Sequence, residues 1–369
     1  MSYPRPAAQA VPSRPQRPKD PRFSAMVVSG VIAVVLVVAA LFLPAPYVVE
    51  SPGPTFNTLG KTEQGPVIQV EEHQTYPATG HLNLTTVYVT GGPGPRNNVS
   101  IFQAFEAWAD PSDSVLPVGL VYPPNVTRDQ IQQQNAAAMD SSQDSAVAAA
   151  LTQLGIDYEQ EMFVVGFTRN SAAKGILQKD DILLRINGRQ IENIDTLRKE
   201  LNASGGEAVQ LTIKRNGETV TKRVTPNRAD SGDYQLGVFL GTNYDFPFTV
   251  DIGLQNVGGP SAGMMFALGI IDKLTEGKLT GGKFFAGTGT ISPTGEVGPI
   301  GGIAQKMVGA SNEGAEIFLA PAANCSDVVG NIPAGMDVYS VETLDDAVDV
   351  VKTVGSGGDT SQLPTCRKQ

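Results

Sequence analysis

The strongest hydrophobic signal lies near the beginning of the chain, where residues 26–43 (MVVSGVIAVVLVVAALFL) carry no charge. Such a run is long enough to cross a bilayer as a helix. Residues 1–25, rich in proline and arginine, predict a disordered tail. Because basic residues flank only the N-terminal side, the positive-inside rule predicts a cytoplasmic tail and a single-pass protein exposed outside the cytoplasm. A cleaved signal peptide is the alternative, but its apolar region would be unusually long.

Alternating apolar and polar positions predict a compact β-rich unit over residues 156–229, with tight turns at Asn187-Gly188 and Asn216-Gly217. Its Ser171-Ala172-Ala173 and Ile186-Asn187-Gly188 turns resemble those of PDZ domains, which bind extended peptides by strand addition. Asp180 replaces a usual glycine there, and aspartate tolerates the left-handed backbone that such a turn needs. A structural insertion without a ligand is the alternative. The predicted peptide groove consists of Met162, Phe163, Val164, Leu197 and Leu201.

Strands and helices alternate on both sides of this unit. Apolar spacing predicts a helix within residues 127–154 that Gly155 ends, and a strongly apolar helix over residues 261–274. Further strands are predicted at 284–291, 317–320 and 338–341, and further helices at 302–310 and 344–351. The fold class is therefore predicted to be α+β, with a short C-terminal tail over residues 354–369.

Composition narrows the choice of partners. The 27 basic and 37 acidic residues give a formal net charge of −10, which disfavours nucleic acid as a partner. Cys325 and Cys366 are the only cysteines, and an oxidising compartment would allow them to pair, with two free thiols as the alternative. No metal site is expected, because there is no C-x-x-C pair and His73 and His81 do not form H-E-x-x-H.

The segment Gly259-Pro260-Ser261-Ala262-Gly263 matches G-x-S-x-G, the pattern around many nucleophilic serines. A serine that caps a helix is the simpler interpretation of Pro-Ser at a helix start. No histidine follows Ser261 in the chain, so a nucleophile here needs another base, and a Ser-Lys pair is an attested arrangement.

Lys306 is the candidate base, because it shares a predicted helical face with the apolar residues Ile303 and Ala310. Lys273 lies 12 residues along the same predicted helix as Ser261, about 18 Å away and out of reach. A free lysine titrates near ~10.4, but burial lowers the pKa and favours the neutral amine. That amine would take the proton of the Ser261 hydroxyl.

The segments GGPSAG and AGTGTISPTGEVGPIGGIAQKMVGA resemble the proteolytic domain of Lon-type serine proteases. This resemblance implies that Ser261 is the nucleophile and Lys306 the general base, with Thr288 orienting the lysine and Gly259 and Ala262 supporting the site. It also implies a discontinuous protease domain over residues 46–155 and 230–353 that contains the PDZ insertion. The order of anchor, PDZ and Lon-like domain resembles the YlbL-type membrane proteases of Gram-positive bacteria.

Lon proper carries an ATPase module, yet the sequence contains no G-x-x-x-x-G-K-[ST] motif. We therefore expect a cofactor-free, ATP-independent endopeptidase that cleaves exported or membrane-associated proteins, with the PDZ domain recruiting or gating them. Two alternatives are a membrane-tethered PDZ scaffold with an inactive Lon-like domain and an esterase that uses the same pair. Lon-like domains often form rings, so a homo-oligomer is expected from the resemblance.

Overall fold

The structure is a computed structural model that describes residues 21–63, 65–94, 98–124, 126–254 and 257–367. Of the tail predicted over residues 1–25, positions 1–20 lie outside the described residues. The helices are α1 Pro21–Phe42, α2 Ile101–Ala109, α3 Val118–Val121, α4 Arg128–Leu154, α5 Ile194–Ala203, α6 Gly263–Leu274, α7 Ile303–Asn312, α8 Cys325–Val328 and α9 Leu344–Gly355, with a 3₁₀ turn at Ala322–Asn324.

The strands are β1 Pro44–Ala45, β2 Tyr47–Asn57, β3 Lys61–Thr62, β4 Gly65–Pro66, β5 Ile68–Val70, β6 His81–Gly91, β7 Val99–Ser100, β8 Ser114–Pro117, β9 Glu159–Phe167, β10 Ile182–Ile186, β11 Arg189–Gln190, β12 Val209–Arg215, β13 Glu218–Val224, β14 Asn227–Arg228, β15 Tyr234–Gln235, β16 Val238–Asp245, β17 Val250–Ile252, β18 Phe284–Gly287, β19 Thr290–Ile291, β20 Val297–Gly298, β21 Ile317–Pro321 and β22 Asp337–Val341. Together with the helices they confirm the predicted α+β class.

The chain divides into two compact units, of which the first comprises residues 1–50 and 89–128. Its helix α1 is long and apolar enough to cross a membrane, although a signal sequence would meet the same criteria. The chain leaves α1 through β1, which pairs with β7, and the start of β2 pairs with β8. Helix α2 covers these strands by packing its alanines on their valines. The residues of this small core are Val49, Val99, Ala104, Ala107 and Val115.

The second unit, residues 51–88 and 129–369, contains a sheet in which β6, β18, β21 and β22 run parallel. Successive side chains of these strands enter two different cores, since a strand projects them to alternate faces. Phe285 and Leu319 join a core with α4, α6 and α9, whereas Ala286 and Phe318 join a core with α7. Helices therefore cover both faces of the sheet, as is usual for parallel strands.

The β-rich part of the same unit has a sheet of order β13-β12-β10-β9-β16, with α5 packed on its core. Asn187 and Asn216 both have positive φ and are each followed by a glycine with positive φ, as expected for the predicted two-residue turns. Asp180 has a φ of 67°, which agrees with the left-handed turn predicted for it.

Several predicted boundaries differ from the structure. Helix α1 begins at Pro21 rather than at residue 26, consistent with the preference for proline in the first turn of a helix. Strand β16 lies beyond the predicted end of the β-rich unit at residue 229, yet it pairs along nearly the whole of β9. The predicted C-terminal tail is also attached, because the Ser340 N–H donates to the Pro364 carbonyl and Cys325 forms a disulfide with Cys366.

Candidate active site

The loop before α6 is held in place by helix α4. Gly259 has a φ of 87°, and its N–H donates to the carbonyl of Asn135 at 3.0 Å. The hydroxyl of Ser142 donates to the carbonyl of Pro260, also at 3.0 Å. A residue with a side chain is strained at such a φ, so glycine at position 259 allows the tight turn that presents Ser261.

Ser261 does not cap α6. The helix begins two residues later than predicted, at Gly263, and its N-cap is Ala262, which has no side chain to make a capping hydrogen bond. The Ser261 carbonyl accepts hydrogen bonds from the Gly289 N–H at 2.8 Å and from the Thr288 hydroxyl at 2.9 Å. These contacts fix the backbone of Ser261 and leave its half-buried hydroxyl available for chemistry.

Lys306 reaches this hydroxyl from α7. Its Nζ lies 2.9 Å from Ser261 Oγ and 2.9 Å from Thr288 Oγ1, and the residue is only 3% exposed. Its helical neighbours Ile303 and Ala310 are buried, as predicted. The structure thus brings together the three polar residues that the sequence singled out.

The position of the sheet explains how these residues meet. Helices α6 and α7 contribute to cores on opposite faces of the sheet, so side chains from them can touch only beyond a strand end. Thr288 directly follows β18, the strand whose Phe285 and Ala286 enter those two cores. The site therefore lies at the carboxyl end of a parallel strand, where ligands commonly bind in α/β proteins.

The hydrogen bonds of Thr288 determine which groups donate and which accept in this network. A hydroxyl has one proton, and Thr288 uses it toward the Ser261 carbonyl, which can only accept. Thr288 Oγ1 must therefore accept from Lys306 Nζ. With one N–H directed to Thr288, a neutral amine can turn its lone pair toward the Ser261 hydroxyl, the arrangement that a general base needs.

Close backbone contacts position α7. Gly302 has a φ of 66° at the N-cap of this helix. A Cβ on Gly309 would lie 2.6 Å from the Gly53 carbonyl oxygen, so α7 lies directly against β2. The buried Asn324 side chain exchanges two hydrogen bonds of 2.9 Å with the backbone of Ile300, just before the helix. These contacts fix the position of α7 and therefore the position of Lys306 on it.

A cavity of about 190 Å³ lies beside the nucleophile loop. One wall is a face of α4 at i, i+3, i+4 and i+7 spacing, made of small residues. The lining residues are Ala138, Ser141, Ser142, Ser145, Pro260, Thr290 and Ile291. Sequence reasoning missed this wall, although the run of alanines and serines in α4 could have indicated a close approach.

The predicted PDZ groove is wrong. Strand β9 is hydrogen-bonded to β10 on one side and to β16 on the other, so it cannot accept a peptide strand there. Phe163 pairs with Ile182 and Gly241 in these two ladders. The other four predicted groove residues, Met162, Val164, Leu197 and Leu201, are buried in the core. The long-range pairing of β16 with β9 decided this, and short-range patterns do not show it.

Both histidines are exposed, and their described ring contacts are structural. His73 stacks on Phe248 with ring centroids 4.3 Å apart, and His81 stacks on Phe284 at 4.7 Å. Among the described residues, no group of three or more histidine, cysteine or acidic side chains is arranged to hold a metal ion.

Comparisons with known proteins identify two domains in the chain. A family model described as the Lon protease (S16) C-terminal proteolytic domain matches residues 228–353, and a PDZ domain model matches residues 125–214. The chain carries a Lon-type proteolytic domain and a PDZ domain. The Lon protease of Campylobacter concisus is 35% identical over 109 residues, which are 28% of this chain and 13% of that protein.

The Lon protease of Lachnoclostridium phytofermentans is 29% identical over 160 residues, 42% of this chain and 20% of that protein. The chain therefore corresponds to a fifth or less of the length of these two relatives. A solved PDZ domain of an SdrC-like protein from Listeria innocua is 16% identical and covers 22% of this chain and 92% of that one, with a TM-score of 0.21.

Proposed function

We propose that the protein is a serine endopeptidase in which Ser261 is the nucleophile and Lys306 the general base. The observation that supports this most directly is the 2.9 Å contact of a lysine amine, 3% exposed, with the hydroxyl of a serine. Two contacts of this amine are with the neutral hydroxyls of Ser261 and Thr288. Burial disfavours the ammonium form, so the amine is suited to accept a proton.

The proposed reaction follows acyl transfer through serine. Lys306 takes the Ser261 proton as the oxygen attacks the peptide carbonyl, and it then donates that proton to the leaving amine. In the second half, Lys306 activates water, which hydrolyses the acyl-enzyme. The N–H of Ala262, at the start of α6, is the proposed donor to the developing oxyanion. The N–H of Gly259 already binds Asn135, so that glycine serves the loop conformation instead.

The small cavity beside the loop suggests how a substrate is oriented. It is bounded by Pro260, next to the nucleophile, and by Ile291, so the side chain preceding the cleaved bond would enter it. Its walls of alanine and serine favour short side chains. Without a phosphate-binding motif in these 369 residues, we propose that cleavage needs no ATP and acts on flexible segments.

The edge of the PDZ sheet offers a different docking position from the one that the sequence suggested. In the described sheet, β16 is the terminal strand, and its Phe239 is 58% exposed. We propose that an extended peptide pairs with β16 and is thereby recruited to the protease. Replacing Phe239 with serine should slow cleavage of protein substrates and leave the reactivity of Ser261 unchanged.

Helix α1 is proposed as a membrane anchor with the catalytic domain outside the cytoplasm, because arginines and a lysine precede the apolar run. Assembly into a ring stays a prediction from the resemblance to Lon proteases.

The test of the enzymatic role is labelling with a fluorophosphonate probe, which reacts with activated serines. The native protein should label, and both Ser261→Ala and Lys306→Met should abolish labelling while the fold is retained by circular dichroism. Labelling that survives Lys306→Met would exclude the lysine as base. A native protein that never labels, yet retains peptides on a column, would instead be the tethered binding scaffold.

A further inference from the structure

Helix α2 has an apolar surface that its own unit does not cover. Ala104 and Ala107 face the small core, as described above. Phe105 and Trp108 lie on another side of the helix, where they are 64% and 75% exposed. Gln103 and Glu106 form a third, polar side. The apolar arc of this helix is thus much wider than the strip of alanines that packs against the strands.

Two further residues extend the exposed arc. Ile101 stands at i, with Phe105 at i+4 and Trp108 at i+7, so these three residues share one stripe. Phe102 flanks it, and both Ile101 and Phe102 are about half exposed. Scattered apolar residues are normal on a protein surface, but four large ones on nine residues of helix mark an interaction surface. We call Ile101, Phe102, Phe105 and Trp108 the aromatic face.

The position of α2 along the chain indicates what covers this face. The Ile101 N–H donates to the carbonyl of Leu43, the residue that follows α1, at 3.2 Å. Pro44 pairs with Ser100 in the adjoining two-strand ladder. The first turn of α2 is therefore attached to the exit of α1. If α1 spans a bilayer, α2 starts at the bilayer surface, whichever way the chain is oriented.

The length of α2 keeps the whole face near that surface. Nine residues of helix extend about 13 Å, comparable with the distance over which headgroups and upper acyl chains meet water. Tryptophan and phenylalanine in a helix with a separate polar side are typical of segments that lie in this interface. The polar side, with Gln103 and Glu106, would remain in water.

We propose that the aromatic face of α2 inserts into the lipid interface beside α1 and provides a second membrane contact. This rests on the proposed membrane anchoring by α1. The contact of α2 with lipid would restrict the tilt of the first unit relative to the bilayer, because one face of α2 is held at the boundary between headgroups and acyl chains. Because the contact is apolar, the aromatic face should insert into bilayers made only of zwitterionic lipids.

Trp108 is the only tryptophan in the chain, so its fluorescence reports on the face directly. The full chain is reconstituted in phosphatidylcholine bilayers, with or without bromine on the upper acyl chain. We expect a blue-shifted emission and a clear loss of intensity with brominated lipid, because the apolar face of an interfacial helix is buried at the boundary between headgroups and acyl chains. Bromine near the end of the acyl chain should quench less.

Variants then test whether the face itself inserts. Phe102→Ser together with Phe105→Ser should reduce the quenching of Trp108, whereas Ile332→Ser, at an exposed apolar position outside the first unit, should not. An alkaline wash of the membranes distinguishes the two proposals. A washed-out chain contradicts both the anchor and the aromatic face, whereas a retained chain with unquenched Trp108 contradicts only the face.

A contact between copies of the chain gives a different result. In that case the emission would shift to the blue with increasing protein density and would be insensitive to bromine, which would overturn the lipid contact. Quenching that is equal for upper and terminal bromine would also contradict an interfacial position, because it would place Trp108 deep in the bilayer.

Discussion

Lys306 in the protease domain is buried and Arg215 in the PDZ domain is partly exposed, and these two basic side chains have different partners. In the PDZ domain, Arg215 Nε and Nη2 lie 2.7 and 2.6 Å from the two carboxylate oxygens of Asp181. In the protease domain, Lys306 Nζ contacts the hydroxyls of Ser261 and Thr288. The described partner is a carboxylate in the PDZ domain, whereas the described partners in the protease domain include two hydroxyls.

This difference separates a structural site from the proposed reactive one. Burial raises the pKa of Asp181, but the hydrogen bonds from Arg215 and from the Gln178 N–H outweigh it and hold the pKa below its ordinary value. The ionised pair thus stabilises the fold. Burial of a lysine disfavours its ammonium form, and in the proposed mechanism Lys306 uses its amine for proton transfer. Methionine substitutions at the two cations should therefore have opposite effects.

The largest expected effect is on activity. Lys306→Met should lower the peptidase rate by at least about 1,000-fold, because it removes the proposed acceptor of the Ser261 proton. The free energy of unfolding should stay equal or rise, since methionine fills the space without a buried amine. Peptide hydrolysis and urea denaturation measure the two quantities. A variant that loses much stability would show that Lys306 serves the fold as well.

Arg215→Met should do the reverse. Asp181 is 1% exposed and would be left without its main partner, so the PDZ domain should lose about 3 kcal/mol of stability. Fluorophosphonate labelling of Ser261 at low temperature should be unchanged. Arg189→Met is the matched control, because its ion pair with Glu200 is exposed and should contribute less than about 1 kcal/mol. Equal losses in the two variants would contradict the comparison.

Gly309→Ala tests whether helix position matters to the reactive site. The new methyl group would overlap the Gly53 carbonyl and push α7, at a cost of about 1–3 kcal/mol. Because Lys306 is on this helix, the peptidase rate should fall together with stability. Gly301→Ala has open space around the added carbon and should change neither. Full activity in Gly309→Ala would show that β2 moves to accommodate the added methyl group.

The smallest effect is the pH dependence of PDZ stability. Asp181 has a lowered pKa in the folded state, so its contribution is present above the unfolded pKa of about 3.9 and is lost as the pH falls through the folded value. Unfolding measured between pH 5 and pH 2 should show that this group loses its stabilising contribution as the pH falls. Asp181→Asn should flatten that part of the curve.

The sequence indicated three polar side chains that lie together in the structure, but it did not indicate which strands flank β9, and both outcomes have the same cause. Ser261, Thr288 and Lys306 could be found because each lies in a short motif, and Lys306 stands out on an apolar helical face. The peptide groove could not, because β16 joins the sheet more than 70 residues after β9 in the chain. Local alternation identifies a strand but does not say which strands will flank it.

The amino-acid sequence by itself determined several elements and turns: the apolar first helix, the glycine after each Asn turn residue, and the end of α4 before Gly155. Those features depend on side-chain periodicity and backbone preference within a few residues. Only the tertiary structure decided that α6 and α7 meet beyond β18, that Gly309 lies against Gly53, and that β9 has no free edge. These features depend on contacts between segments that lie far apart in the chain. Such contacts form only when the helices and strands pack together.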